Sequence, residues 1–385
     1  MRSFVQSPTD PAFVRDPYPF YDMLRDAGPL AWWEDYAMPM ASSHAVASAL
    51  LRDRRLGRED PDPPPRPAHQ AGFWAVEDHS MLELEPPRHT RLRGSVRRAF
   101  TSRRVQALGP GIEAMAHALV DAFPAGPFDL IDAFARPLPV RVIARLLGVP
   151  EADAPRLLAW SNAMVGMYQA GRDHDAEVAA SDAATAFRAY IEAVLADPPD
   201  GLVADLAGLE REGALSRPEV VATCILLLNA GHVATVHTIG NGVAGLLAAG
   251  RWGAPADEPL VEEVLRHDPP LHLFTRYALE DVEIAGHALR RGQTVGVLLA
   301  AANRDPDAYT DPGRFDPSRF PAAPAPLSFG AGLHFCLGAP LARLELRIAF
   351  EVLAARCPRL APAGPAPVAD IYHFRGRAAL PVAAG

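Results

Sequence analysis

The sequence predicts a mainly α-helical fold with a minor β region, and three observations carry that prediction. Residues 104 to 200 alternate alanine- and leucine-rich helical periodicity with Pro and Gly breaks. Ser216 to Ala249 reads as one long helix, apolar nearly all round, as a helix threading the centre of a protein must be. Strand patterns are short and fall mainly within 28–45, 271–300 and 365–385.

Taken in order, Asp10 to Arg25 is a proline-broken lead into a short helix. Leu30 to Pro39 and the region near Ala41 read as short strands, and His44 to Arg55 as a helix. Asp60 to Ala71 is too proline-rich to be regular. Glu85-Pro86-Pro87 punctuates the start of a helix from His89 to Phe100, on which His89 and Arg93, four apart, share a face. Taken alone, such a pair is ordinarily a solvated face. Met164, Met167 and Tyr168 form a Met/aromatic stripe of the kind that normally packs in a core. Ser216-Arg217-Pro218-Glu219 is a helix start, with Ser as N-cap, Pro in the first turn and Glu three residues after the Ser. Leu271 to Ala278 reads as a strand, and Asp281 to Val297 as two short strands joined by a turn. No internal repeat is visible.

Composition narrows the function classes. Apolar residues make up 49% of the 385, ample for a large core. A net charge of −9 disfavours nucleic acid as the main partner. The chain contains no lysine, so its permanent side-chain cations are all arginine. Cys224, Cys336 and Cys357 fit neither a disulfide framework nor zinc spacing. Met1 to Arg15 carries no signal-peptide pattern. The longest apolar run, Val221 to Ala249, is interrupted by Asn229, His232, His237 and Asn241, which makes it a poor membrane span. A soluble, cytoplasmic protein is expected, with no membrane and no nucleic acid among its partners.

The stretch that organises the chain is Phe329-Gly330-Ala331-Gly332-Leu333-His334-Phe335-Cys336-Leu337-Gly338, followed at once by a strong helix pattern. Gly330, Gly332 and Gly338 give the backbone conformations closed to other residues and permit close approach to a flat ligand. The helix N-terminus beyond them favours a thiolate. A lone cysteine is ordinarily a small hydrophobe. This segment, however, resembles the haem-ligand loop of the cytochrome P450 family, Phe-Gly-x-Gly-x-His/Arg-x-Cys-x-Gly, at every fixed position. The resemblance implies that Cys336 is the axial thiolate of a haem b iron, an arrangement that favours O–O cleavage. It also implies a single domain over 1–385, since pieces of one site run from His89 to Cys336.

The same resemblance extends along the chain. Pro86 to Arg93 is similar to the family helix whose His and Arg hold haem propionates, the role implied for His89 and Arg93, with Arg276 and His334 as further cations. Glu263-Val264-Leu265-Arg266 matches the family's Glu-x-x-Arg, which implies a buried structural network with Arg319 as third member. Asn229 to Thr235 resembles the oxygen-binding groove, with the small pair Ala230-Gly231 leaving room for a diatomic ligand. There the chain departs from its family. Val233 stands at the acid position and Ala234 at the alcohol position, and neither can supply the protons that the family's acid–alcohol pair relays. Thr235 lies about 100° further round the helix and cannot simply replace Ala234. His237, one turn on from Ala234, is either the anchor of a proton-carrying water chain or a satisfied core histidine.

The resemblance places Met164, Met167, Tyr168, Leu273, Phe274, Thr275, Tyr372, His373 and Phe374 at substrate-contact positions. The chain stops shortly after Leu380-Pro381-Val382, so electrons are expected from a separate ferredoxin and ferredoxin reductase. Arg97, Arg98, Arg103, Arg104, Arg343 and Arg347 form the expected docking patch on a monomer. The expected activity is monooxygenation of a small organic molecule in natural-product biosynthesis, with protons from substrate or water. Two alternatives stand beside it: chemistry that needs no dioxygen activation (nitrene-type transfer from an N–O substrate, or peroxide-driven oxidation), and a non-catalytic haem sensor.

Overall fold

The structure, a computed structural model, describes residues 1–385 apart from the side chain of Ala99. Its axis is the central helix, Arg217–Ala248, 32 residues long. Glu219 accepts the Ser216 backbone N–H at 2.8 Å and so closes a capping box. Helices Pro137–Leu147, Ala154–Val165, His174–Val194 and Ala339–Arg356 pack around it. At Gly231 a Cβ would lie 2.6 Å from Ile143 Cδ1, so only glycine lets the helix Pro137–Leu147 approach this closely. By length and composition the central helix could cross a membrane, with mean hydropathy 1.6 in its most apolar window, but 56% of that window is buried inside the protein.

The main sheet has six strands in the order Ser3–Phe4, Ala31–Trp33, Met38–Ala41, Thr294–Leu298, Leu273–Ala278, Leu56–Gly57. A second sheet joins Ala361–Pro362, Pro381–Ala383 and Phe128–Asp129. Asp281 to Val297 holds three strands where the sequence indicated two: a hairpin, Val282–Ile284 with His287–Leu289, and then Thr294–Leu298, which leaves the hairpin for the main sheet. The hairpin turn carries Ala285 and Gly286 at positive φ. The helix from His44 ends at Arg52, where Asp53 turns extended. The proline-rich run gives way to a 3₁₀ turn at Ala68–Gln70 and a helix at Ala71–Glu77.

Three cores result. The largest lies among the helices around the central one. A second sits between the main sheet and the Cys336 segment, with Leu51, Val295, Leu327 and Ala331. The third is aromatic, built from Phe13, Phe20, Tyr21, Trp33 and Tyr372.

Candidate active site

Gly330 and Gly332 sit at φ +68° and +71°, and a Cβ on Gly332 would fall 2.3 Å from the Leu51 carbonyl oxygen. The glycine is therefore required where the loop crosses the helix His44–Arg52. Gly338 is ordinary right-handed backbone at φ −78°, and a Cβ there would make only ordinary contact with the Cys336 sulfur at 3.8 Å, so neither conformation nor crowding within the protein calls for glycine at this position. The Cys336 N–H donates to the Phe329 carbonyl at 3.0 Å. Backbone N–H groups of Gly338 and Ala339, at the start of helix Ala339–Arg356, point at the sulfur. Cys336 retains exposed surface while protein crowds around it, the setting of a cleft wall. Burial pushes its thiol up, and the N–H groups, Arg93 and Arg343 offset this only in part. The helix terminus alone therefore does not produce the thiolate expected from it. A bound cation would, because metal coordination deprotonates a thiol outright.

The cations of the resemblance converge beside the loop. His89 and His334 lie with ring centroids 4.3 Å apart. His89 is 1% exposed and neither ring nitrogen has a partner. Burial, then His334 and Arg93, lower it to about 4. Arg276 is 2% exposed, bonds only the adjacent Thr275 carbonyl, and is lowered to about 9 by burial and then by Arg58. Arg93 donates to the Phe335 carbonyl. Into this group projects a carboxylate absent from the sequence expectation: Glu85 accepts His334 Nε2 at 2.8 Å and the Arg58 N–H at 2.7 Å. Burial opposes ionisation of Glu85, but those two donors prevail and hold the carboxyl below its usual value.

On the central helix, one stripe keeps surface open amid buried neighbours: Ala230 is exposed, and Leu226, Leu227, Ala234 and His237 are half-buried. Gly231 points at Ile143, so of the expected small pair only Ala230 opens onto that stripe. Val233 is 9% exposed. Thr235 donates its hydroxyl to the Gly231 carbonyl at 3.3 Å and Thr238 to the Ala234 carbonyl at 2.7 Å, so both are tied to the helix itself. His237 has no partner on Nδ1 and lies so close to Gly376 that a Cβ there would be 1.8 Å from it. Burial, His232 and Arg136 lower His237 to about 4, which leaves it neutral at pH 7.

The expected substrate contacts divide. Tyr168 stacks on His373 at 6.2 Å and donates to Glu77 at 3.3 Å. Phe274 lies against Gly330 and beneath the Arg58 and Arg276 guanidinium groups. Phe374 is half-buried and bridges to Leu271. Leu273 and Tyr372 instead face the aromatic core, where the Tyr372 and Tyr21 hydroxyls are hydrogen-bonded at 2.7 Å. Met164 and Met167, 1% and 7% exposed, belong to the main core. Sequence reasoning missed Glu77, Glu85, Arg58 and Glu83, whose carboxylate pairs with the Arg58 guanidinium at 2.5 Å. Glu77 had a signal: it shares a helix face with the apolar Phe73.

Glu263 and Arg266 form a fully buried pair, with Nε–Oε2 at 2.7 Å and Nη2–Oε1 at 2.8 Å. Arg319 Nε lies 3.2 Å from Glu263 Oε2. Among the six arginines of the expected docking patch, Arg343 is paired with Glu262, Arg347 with Glu351 and Arg104 with Asp205. Arg97, Arg98 and Arg103 remain exposed.

Comparison with known proteins bears directly on this geometry. The chain is 38% identical over 368 residues to cytochrome P450 monooxygenase PikC of Streptomyces venezuelae, covering 91% of this chain and 86% of PikC. The chain belongs to the cytochrome P450 family. The family profile "Cytochrome P450" matches residues 258–357. The erythromycin C-12 hydroxylase of Saccharopolyspora erythraea is 38% identical over 351 residues, 88% of this chain and 86% of that protein. The solved structure of P450BioI in complex with an acyl carrier protein ligated to hexadec-9Z-enoic acid superposes with a TM-score of 0.89 at 33% identity, over 97% of this chain and 99% of that one. The protein is thus a bacterial cytochrome P450 monooxygenase of mainly helical fold with minor sheets. The family implies haem, and the residues fit it. The orphaned buried nitrogens of His89, the buried Arg276 hydrogen-bonded to no carboxylate, and His334, which already donates to the Glu85 carboxylate, are the donor set that a carboxylate-bearing cofactor needs. Cys336, with the Gly338 and Ala339 N–H groups directed at its sulfur, is the residue that would hold the iron.

Proposed function

We propose that this cytochrome P450 monooxygenates a small organic molecule in natural-product biosynthesis, with protons delivered by the substrate's own polar group or by ordered water. The observation that carries the proton-delivery part is the open stripe of the central helix. Its side chains at 230 and 234 are methyl groups, Val233 is apolar, and the nearby threonine hydroxyls are committed to backbone carbonyls. Haem b on Cys336 supplies the oxidising chemistry when bound. The chain's residues do the rest. His89, Arg93, Arg276 and His334 hold the propionates, and Tyr168, Phe274, His373 and Phe374 shape the substrate side. His237, half-buried on the open stripe and neutral at working pH, accepts or passes a proton through an ordered water. Glu263, Arg266 and Arg319 hold the Cys336 side of the core. The similarity to an erythromycin C-12 hydroxylase, a protein named for a natural-product substrate, supports the substrate class.

The chain is read as one domain over 1–385, working as a cytoplasmic monomer. Arg97, Arg98 and Arg103 offer an acidic ferredoxin its docking charge, with a ferredoxin reductase behind it. A second reading rests on the same Val233 and Ala234: with no proton relay, the haem serves chemistry independent of dioxygen. The purified haem protein, a ferredoxin/reductase pair and a substrate-bearing extract, run under isotopically labelled dioxygen and again anaerobically, separate the two. A labelled, air-dependent product supports monooxygenation; an unlabelled product that also forms without air supports the second reading. With Val233→Glu and Ala234→Thr together, turnover should depend less on the substrate's polar group. If an analogue lacking that group stays as inactive with the double variant as with the parent, assisted delivery is refuted.

A further inference from the structure

Away from the Cys336 site, the 3₁₀ turn Ala68–Gln70 meets the first turn of helix His174–Val194. His69, His174 and Glu177 converge there, with one potential ligand atom from each lying within 4.8 Å of the others. His69 Nε2 is 2.7 Å from Glu177 Oε2, and the two imidazole rings are 4.4 Å apart between centroids. We propose that His69, His174 and Glu177 bind a divalent transition ion of the zinc type, which braces the turn at 68–70 to the helix beginning at His174.

The donor set argues the class of ion. Two imidazoles and one carboxylate suit zinc and its neighbours, whereas calcium and magnesium take mostly oxygen. Three protein ligands leave a fourth, tetrahedral position for water. His69 Nε2 and Glu177 Oε2 must separate by about half an ångström to share an ion at zinc bond lengths. The half-buried His69 and exposed His174 have room to do so. On binding, the Nε2 proton of His69 gives way to the ion and Nδ1 carries the proton instead. A helix N-terminus disfavours a cation. Against that, Asp173, Asp175 and Glu177 lie in the same turn. Arg172 holds Glu177 Oε1 at 3.0 Å and Gln70 donates to Oε2 at 2.8 Å; both fix the carboxylate, and Arg172 leaves Oε2 facing the histidines.

The location gives the site a consequence. Helix Ala71–Glu77 follows the turn directly, and the Gly72 N–H donates to Ser181 of helix His174–Val194 at 3.0 Å. That short helix ends at Glu77, whose carboxyl meets Tyr168. An ion at one end therefore fastens the element that carries Glu77 at the other, next to the substrate side proposed above.

The test uses the haem-loaded, tag-free protein, stripped with a chelator and titrated with zinc chloride against a chromophoric competitor. One equivalent should bind, and His174→Ala and Glu177→Gln should each lower its affinity by at least about ten-fold. His174 is exposed, so its variant should keep the parent's thermal midpoint. Hydrogen exchange over 68–77 should slow with zinc in the parent and not in His174→Ala. Equal zinc affinity in parent and variants would overturn the site. Tight binding with unchanged exchange would overturn the brace.

Discussion

Arg266→Met tests the buried pair most sharply. Both Arg266 and Glu263 have fully buried side chains. The substitution removes two donors to Glu263, together with those to the Asn303 carbonyl at 3.0 Å, the Pro312 carbonyl at 2.8 Å and the Arg314 carbonyl at 3.1 Å. Glu263 keeps only the Asp316 N–H at 2.6 Å and Arg319 at 3.2 Å. Leaving a buried carboxylate short of its main partner should cost about 3–5 kcal/mol. Arg319→Ala, which removes a more peripheral partner, should cost less, about 1–3 kcal/mol. Glu263→Met with Arg266→Met removes the buried carboxylate as well and should recover part of the loss, because Arg319, which then lacks Glu263, still donates to the Thr310 and Arg314 carbonyls. Urea unfolding of the haem-loaded parent, both single variants and the double variant, followed by tryptophan fluorescence, measures each term. If Arg266→Met lowered stability by less than about 1 kcal/mol, or if the double variant were the least stable, the argument from an unpaired buried charge would fail.

Three further outcomes are expected. Burial, then Glu83, raise Glu77 to about 8. A folded-state pKa above the unfolded one means the contribution is full below about pH 4.5 and is lost as pH rises through about 8. Glu77→Gln should therefore flatten a loss of at most about 5 kcal/mol over that window, read as thermal midpoint against pH; an unchanged slope would contradict it. His89→Leu should release haem to apomyoglobin at least about ten-fold faster, because a buried propionate donor is removed; an unchanged rate would exclude His89 from the propionate set. Gly332→Ala, at φ +71° and with its Cβ 2.3 Å from Leu51 oxygen, should lower both the thermal midpoint and the haem content of purified protein, while Gly94→Ala, exposed in mid-helix with nothing near its Cβ, should leave the haem content unchanged and not lower the midpoint.

Local chemistry made some of this molecule readable from sequence. The helix start at Ser216 follows from capping geometry and the Glu263–Arg266 spacing from helical periodicity, and both need only neighbours along the chain. Strand facing did not follow as readily. Leu273 and Phe274 are adjacent and point to opposite sides, and which of the two meets the aromatic core depends on register with Thr294–Leu298. Tyr372 likewise reads as a pocket aromatic until Tyr21 is seen beside it. Glu85 and Arg58 are separated by a stretch with no strong pattern, and only the fold sets one against the other. Gly231 read as room for a small ligand; the structure shows a helix contact that uses the same absence of a side chain.

The hydrogen bond between Tyr21 and Tyr372 spans 351 positions of the chain. During synthesis, Phe13, Phe20 and Trp33 leave the ribosome long before the ring of Tyr372 that completes their cluster. Strand Leu273–Ala278, whose Leu273 seals the same cluster, arrives late as well. The first aromatic residues made are thus among the last to be covered, and for most of translation they are a sticky surface with no native partner. Yield in a host cell should therefore respond to elongation rate and chaperone supply more than to the stability of the finished enzyme.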